Sequence, residues 1–503
     1  MKKRYANKHR NFGNLSARVT EAIAASAPAV FLPPGNHYLA NSVSIAAGTS
    51  NFKIIGVPGQ TNIIKTYSAT TACFVIGTEA VGSTSATVTG VSKGATSVTP
   101  ASGSLAANTY YIYEGASKAR HPEDTGSTFM QPIYNGIVKT SGSTNNFAVA
   151  FSRAIPAEAV TFKTATASVG LGISGVSIQC NGATQGIYAA STDGFTISSV
   201  VATGWTDIGV YLKWATNYTI TDCDTQVSAD SVSSLKYGMS FVASSRGVIT
   251  RPIGRIPNRK VAIFSCGCAD TDITGGLAVG EVENAFDTHG SGSDDIVFTN
   301  CTGAMLTGNP SWRRGDTNIK FVGCTGREMV IGPGTTATFE NCTSPQVVIM
   351  SSIGGTVTDA TQTPKIGPRT GVFTNCTIGT VTHNDWSGST NQRMFGSLTF
   401  TECTIGNASA VGSIGSVSAP LSAMPSSIAT SLTLTDCDFG SATAGLTLTG
   451  GISTTIAASG NSGTFAGAMI TLSASMSATV SGSGNAVTGV TITGGSVTGT
   501  IGK

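Results

Sequence analysis

The sequence predicts an all-β chain wound as a β-solenoid, and three observations carry that expectation. Charged residues make up only 11% and glycine supplies 62 of the 503 residues. Serine and threonine are abundant as well, a composition poor for helices and suited to short strands joined by many turns. Second, a motif recurs in which an aliphatic or aromatic residue stands three before a cysteine. It reads Ile220-Thr-Asp-Cys223, Phe298-Thr-Asn-Cys301, Phe321-Val-Gly-Cys324, Phe339-Glu-Asn-Cys342, Phe373-Thr-Asn-Cys376, Phe400-Thr-Glu-Cys403 and Leu434-Thr-Asp-Cys437. Ile197-Ser-Ser-Val200 and Ile273-Thr-Gly-Gly276 fit with valine and glycine in the cysteine slot. Third, a repeat of about 20–30 residues of strand and turn, without helical periodicity, defines a solenoid. Leucine-rich repeats are excluded because their L-x-x-L-x-L core is missing.

Composition also bounds function. Hydrophobic content of 40% excludes wholesale disorder, and a formal net charge of +3 is nearly neutral for this length. No basic stripe with interleaved aromatics appears, so no nucleic-acid partner is predicted. No window of about 18 apolar residues exists, so no membrane span is predicted. Met1-Lys2-Lys3-Arg4 is positive, but Tyr5 to Ser16 lacks a continuous apolar core, so no Sec signal peptide is predicted.

Taken in order, residues 1–14 form a basic peptide without periodicity, read as an attachment segment. Residues 15–78 hold a capping helix, with Val19, Ile23 and Ala24 on one face, and the first coils, Val43-Ser-Ile45 and Phe52-Lys-Ile-Ile-Gly56. Residues 79–168 break the pattern with short, irregularly linked strands and are read as a β-rich insertion, with two or three long coils carrying large loops as the alternative. Residues 169–440 carry the clear repeat. Residues 441–503, rich in Gly, Ser, Thr and Ala with alternating aliphatics, are either thin terminal coils or a trimerisation tip.

The eleven cysteines follow from the repeat. Residues at one coil position stack about 4.8 Å apart in successive rungs, and free cysteine behaves as a small buried hydrophobe. An in-register parallel stack supplies disulfide geometry poorly, so reduced, buried thiols are expected. No Cys-x-x-Cys or histidine partner accompanies them, so neither a metal nor any other cofactor is predicted. Asn300, Asn341 and Asn375 share one slot and are read as a side-chain amide ladder at a turn.

A second alternating strand precedes each repeat. Ile187, Val210, Met239, Ile263 and Phe286 are expected to face inward. Tyr188 and Ala190, Tyr211 and Lys213, Ser240 and Val242, Phe264 and Cys266, and Asp287 and His289 are expected to face out. The next rung offers Trp312, Arg313 and Arg314. Aromatics beside carboxylates and guanidiniums suit a polysaccharide, and Arg259 lies in a loop that can overhang this face. Glu281 and Glu283 stand in the turn before Asp287. A glycoside hydrolase needs two carboxyl groups, which Asp287 with Glu283 or Glu281 supplies. A lyase needs a base and cationic groups that neutralise a uronate, which His289 with Arg313, Arg314 or Arg259 supplies. The bland alternative for Asp287 and His289 is a hydrogen-bonded surface pair. Asp294-Asp295 reads as a turn, Asp222 and Asp224 as a coil corner, and Trp205 with Asp207 as a lesser pair.

The helix leading into Ala29-Val30-Phe31-Leu32-Pro33-Pro34-Gly35-Asn36-His37-Tyr38-Leu39, a strand, a Pro-Pro-Gly turn and an aromatic, and the passage Arg259 to His289 together resemble phage tailspikes and pectate-lyase-like right-handed parallel β-helix proteins. That resemblance implies a homotrimer that binds, and usually cleaves, bacterial surface polysaccharide. It implies a virion location and attachment to a tail or baseplate protein through the N-terminal peptide. Rival readings are a non-catalytic glycan-binding fibre and a secreted bacterial lyase or hydrolase.

Overall fold

A computed structural model describes residues 14–116, 118–120, 130–132, 134–228, 236–255, 261–280, 285–288, 292–307, 316–332, 335–351, 370–385, 396–406, 413–414, 430–441, 445–448, 453–472 and 477–503. The fold is a parallel β-helix, divided into two compact units, Met1–Phe286 and Asp287–Lys503.

The first unit opens with the helix Leu15–Ala24. The Asn14 side chain caps it, accepting from the Ala17 amide at 3.2 Å. Leu15 and Val19, one turn apart, are buried against the strands Ala29–Phe31, Gly35–Leu39 and Val43–Ile45. The expected face was set slightly wrong, because Ala24 is exposed and Leu15 does the packing. A solenoid needs its terminal core covered, and this helix does so at low cost.

Each rung of this unit contributes to three parallel ladders. The first runs through 29–31, 53–55, 172–174, 196–198, 219–221, 248–250 and 272–274. The second passes through 61–65, 177–179, 201–203, 224–226, 253–255 and 277–279. The third takes in 43–45, 74–77, 187–190, 210–213, 239–242 and 263–266. After the insertion the chain resumes the register it left, pairing Ile54 with Ile173, Ile63 with Ile178 and Ile76 with Ala189. Ile197 pairs with Ile220 and Val200 with Cys223, as the motif alignment requires. Ile249 also belongs to the column, between Ile220 and Ile273. Sequence reading passed over it because Pro252 occupies its cysteine slot.

Residues 81–165 form a separate antiparallel sheet from strands Val81–Val91, Ser102–Gly103, Tyr110–Gly115, Asn135–Lys139 and Ile155–Ala165. One face holds its own core, where Tyr113, Phe147, Phe151 and Phe162 meet with ring centroids 4.7–6.3 Å apart. Its other face packs Ile112 and Ile137 onto Ile208, Trp214, Tyr237, Val242 and Cys266 of the β-helix.

The second unit keeps a more regular repeat. Phe298, Phe321, Phe339, Phe373 and Phe400 pair in register and stack nearly parallel, with centroids 4.6–5.1 Å apart and interplanar angles of 4–6°. Each such pair contributes about 0.5–1.5 kcal/mol beyond its buried area. The column continues through Leu434 to Ala458. Strands 453–459, 477–481 and 496–499 carry the same parallel ladder to the end of the chain.

The cysteine slot has a structural reason. The residue before it bends the strand through positive φ: Asn300 52°, Gly323 62°, Asn341 54°, Asn375 51°, Glu402 54° and Asp436 50°. Asn, Asp and Gly enter this region most readily, which accounts for the recurrent Asn-Cys pair. From Cys324 to Cys437 each thiol then donates to the carbonyl of the preceding rung's phenylalanine. Cys342 reaches Phe321 at 3.5 Å, Cys376 reaches Phe339 at 3.3 Å and Cys437 reaches Phe400 at 3.4 Å. All eleven cysteines are free and buried. Below Cys437 the slot passes to Asn461 and Asn485, whose amides donate to Leu434 O at 3.0 Å and Ala458 O at 2.9 Å. The expected amide ladder forms between Asn375 and Asn341 at 2.7 Å. Asn300 does not stack directly on Asn341, because the intervening rung places Gly323 there.

Candidate functional site

The inward half of the second strand pattern is as expected: Ile187, Val210, Met239, Ile263 and Phe286 are fully buried. The outward half is not the open face that alternation predicts. Ala190, Ser240, Val242 and Cys266 are buried as well. For Val242 and Cys266 the cause is the insertion, which lies over this ladder and covers it with Ile112 and Ile137.

Of the ten catalytic and sugar-contact candidates named by sequence, three fall among the described residues. Tyr211 and Lys213 are half-buried, in the first unit, and Asp287 is fully buried, in the second. The expectation that Asp287 faces solvent is therefore corrected, and its neighbour Thr288 is fully buried too. His289, Glu281, Glu283, Arg259, Trp312, Arg313 and Arg314 lie outside the described residues.

Around Tyr211 and Lys213 the first unit assembles a compact polar and aromatic cluster. Tyr188 and Tyr211 occupy the same slot on adjacent rungs, with ring centroids 5.4 Å apart and planes inclined at 57°. Glu79, from the segment leading into the insertion, accepts from the Tyr188 hydroxyl through Oε1 and pairs with the Lys213 ammonium through Oε2. Lys213 also stands 4.8 Å from the centre of the Trp214 ring, a cation–π distance. Trp214 takes a φ of 52° within the strand Ile208–Thr216, and its ring packs with Ile112 and Ile137 of the insertion.

Burial alone raises the Glu79 carboxyl, but the hydrogen bonds from Lys213 and Tyr188, with the charge of Lys213, outweigh it and hold the group below its ordinary value. Burial, then the bond to Glu79, pushes the Tyr188 hydroxyl well above the usual phenol range. At neutral pH Glu79 is thus a carboxylate and Tyr188 a phenol. Such a set can hold a ligand; an ionised, paired Glu79 is no proton donor.

A second carboxylate braces the same region. Asp193 accepts from the Tyr110 hydroxyl at 2.6 Å and from the Asn217 amide at 2.7 Å. The Lys139 ammonium lies 5.1 Å from the centre of the Tyr110 ring. Tyr110 belongs to the insertion, so its bond to Asp193 fixes the insertion against the ladder. Sequence reading missed Glu79 and Asp193. Glu79 lies 134 positions from Lys213, and the available signal was the matched pair Tyr188 and Tyr211.

The remaining acidic candidates have structural roles. Asp222, at φ 53°, accepts from Arg251 at 2.6 and 2.9 Å, and Asp224 from Arg255 at 2.8 and 3.0 Å, at a coil corner as expected. Trp205 is buried in the core, while Asp207 faces Lys236 at 3.7 Å, so the two do not form a site. Asp294 opens a strand and accepts from Thr317 at 2.6 Å, with the left-handed kink at Asp295. Asp316, not singled out by sequence, is fully buried and accepts from the Ser293 amide at 2.9 Å. Among the described residues no group of three or more metal-ligating side chains converges, and no helix is long and apolar enough to cross a membrane.

No family model and no curated protein matches this chain. Among solved structures it is similar to the tailspike protein gp49 from Pseudomonas phage LKA1. The TM-score is 0.52 at 15% identity, over 93% of this chain and 72% of that one. It is similar also to the tailspike gp61 of Pseudomonas phage phi297, with a TM-score of 0.54 at 14% identity, over 88% of this chain and 72% of that one. At such identity the likeness is one of fold.

Proposed function

We propose that this chain is a tailspike-like receptor-binding protein of a phage virion that binds and cleaves a bacterial surface polysaccharide: capsule, O-antigen or exopolysaccharide. The observation that carries the binding half is the Tyr188–Tyr211 pair, half-exposed beside the Glu79–Lys213 ion pair on a parallel β-helix. Tyrosine offers an apolar ring face to the C–H face of a sugar while its hydroxyl stays hydrogen-bonded. The carboxylate and ammonium between them serve hydroxyls and any uronate.

The cleaving half rests on sequence. Asp287 and His289 are the proposed catalytic groups, with Glu281 and Glu283 as alternative carboxyls. Trp312, Arg313, Arg314 and Arg259 are proposed sugar contacts. Hydrolysis needs one carboxyl as acid and a second as base or nucleophile; elimination needs a base and a cation that stabilises the developing enolate. We propose further that the chain acts as a homotrimer and joins the virion tail through residues 1–14, readings that sedimentation and a pull-down with N-terminally truncated chain test. One observation favours a second reading, a fibre that binds glycan without cutting it: the complete burial of Asp287.

The test is a panel of bacterial surface polysaccharides, followed by reducing ends and by absorbance near 235 nm (the unsaturated-uronate signal of elimination). The native chain is compared with Asp287→Ala, His289→Ala, Glu281→Gln and Glu283→Gln, and binding is measured for Lys213→Met and Tyr188→Ala. New reducing ends that Asp287→Ala and His289→Ala abolish support the enzyme reading, and the ultraviolet signal selects a lyase. Full activity in both discards those residues. Binding without cleavage makes the chain an adhesin.

A further inference from the structure

Two cysteines of the first unit meet outside any column. Cys73 and Cys180 are both fully buried and free. They stand at opposite ends of successive turns between the second and third ladders. Cys180 follows the strand Ser177–Gln179, and Cys73, one rung earlier, precedes the strand Phe74–Gly77. The Cys73 amide donates to Gln185 O at 3.1 Å and Phe74 pairs with Ile187, which sets Cys73 beside Gly186. Gly186 has no side chain, and the Sγ of Cys180 lies 3.4 Å from the point its Cβ would occupy. There the two thiols are hydrogen-bonded to each other.

The two turns are tied together from both sides. Asn181 Nδ2 donates to Lys65 O at 2.7 Å, and Lys65 Nζ donates to Tyr67 O at 2.7 Å and Asn181 O at 3.4 Å. The Thr184 amide donates to Thr70 O at 2.6 Å. The Lys65 ammonium is buried, 4.4 Å from the centre of the Tyr67 ring. The hydrogen bond to Cys73, then burial, push the Cys180 thiol well above its usual range, against the charge of Lys65. Cys180 therefore keeps its proton while the turns are closed.

We propose that Cys73 and Cys180 are a redox pair that closes to a disulfide outside a reducing compartment. Cysteines stacked in one column point the same way, which suits a disulfide poorly. These two occupy different coil positions and converge on the gap above Gly186. The oxidant is a low-molecular-weight disulfide such as oxidised glutathione. Local opening frees one thiolate, with the Lys65 ammonium beside it. It attacks a reagent sulfur, and the first reagent thiol leaves. The second cysteine's thiolate attacks the protein-bound sulfur of this mixed disulfide and expels the second reagent thiol. The cysteines give up two electrons and two protons, and the reagent takes them up as two thiols. The link closes a ring around the whole insertion, residues 81–165, and so pins the first coils to those that follow it. It is independent of any sugar site.

The experiment uses the full folded chain, incubated with oxidised glutathione and then alkylated in denaturant. Mass spectrometry should show two of the eleven thiols protected, and a peptide map without reductant should join the Cys73 peptide to the Cys180 peptide. The oxidised chain should melt ~2 °C or more above the reduced one. Cys73→Ala and Cys180→Ala should each lose both the link and the shift; if neither folds, the map and the melting of the native chain decide. Eleven free thiols after oxidation, links confined to the column from Cys301 to Cys437, or a mixed disulfide that never closes overturns the proposal. A Cys73–Cys180 link without a melting shift overturns its role as a staple.

Discussion

Replacing Asn461 tests whether the thiol and amide columns are one device. Its side chain makes three bonds: Nδ2 to Leu434 O at 3.0 Å, Nδ2 to Asn485 Oδ1 at 2.9 Å, and Oδ1 from the Cys437 amide at 3.0 Å. Asn461→Ala leaves the buried Cys437 N–H unsatisfied, at about 1–3 kcal/mol, and removes the amide bond to Leu434 O, worth about 0.5–1.5 kcal/mol, so the loss is roughly 1.5–4.5 kcal/mol. Asn461→Cys restores one donor, because a thiol in this slot reaches the equivalent carbonyl in the rungs above, as Cys342 reaches Phe321. It should recover that bond, about a third of the loss. Solenoids open locally, rung by rung, so hydrogen exchange of peptides spanning 430–441 and 453–472 is the assay. A factor of ten in exchange corresponds to about 1.4 kcal/mol. Asn461→Ala should therefore exchange at least ~10-fold faster there, while peptides from the insertion stay unchanged. Exchange within about twofold of native, or Asn461→Cys no better than Asn461→Ala, refutes the reasoning.

Two further outcomes are expected. Gly323 sits at φ 62°, and an added Cβ meets only the terminal Oδ1 of Asn300, at 2.5 Å. Because that amide can rotate away, Gly323→Asn should extend the ladder and melt within about 0.5 kcal/mol of native. Gly323→Val, β-branched in the left-handed region, should cost about 1–2 kcal/mol; equal melting of the two rejects this account. The Glu79 carboxyl is held low, so its pairing stabilises the fold above the ordinary glutamate value of about 4.3 and is lost as pH falls through the lower folded value. The melting difference between native chain and Glu79→Gln should be present at pH 6 and shrink as pH falls below about 4. A difference that grows on acidification contradicts the assigned pairing.

The composition and the spaced Phe-x-x-Cys motif sufficed for the solenoid, for the register of Phe298 through Leu434, and for free, buried cysteines. These are local, periodic facts: each rung repeats the same inward residues and the same left-handed corner, so the pattern is written once per turn. Alternation was also enough to place Ile187, Val210 and Met239 in the core. It failed on the opposite face, because a period of two says which side chains leave the core and not what then covers them. Whether Val242 and Cys266 meet water depends on where residues 81–165 fold back. That docking is decided by apolar surfaces, Ile112 and Ile137 on Trp214 and Tyr237, that no spacing in the chain connects. The meeting of Glu79 with Lys213 and of Arg153 with Gly267 has the same origin. Both are contacts across more than a hundred residues, made because the insertion leaves and rejoins the β-helix in register.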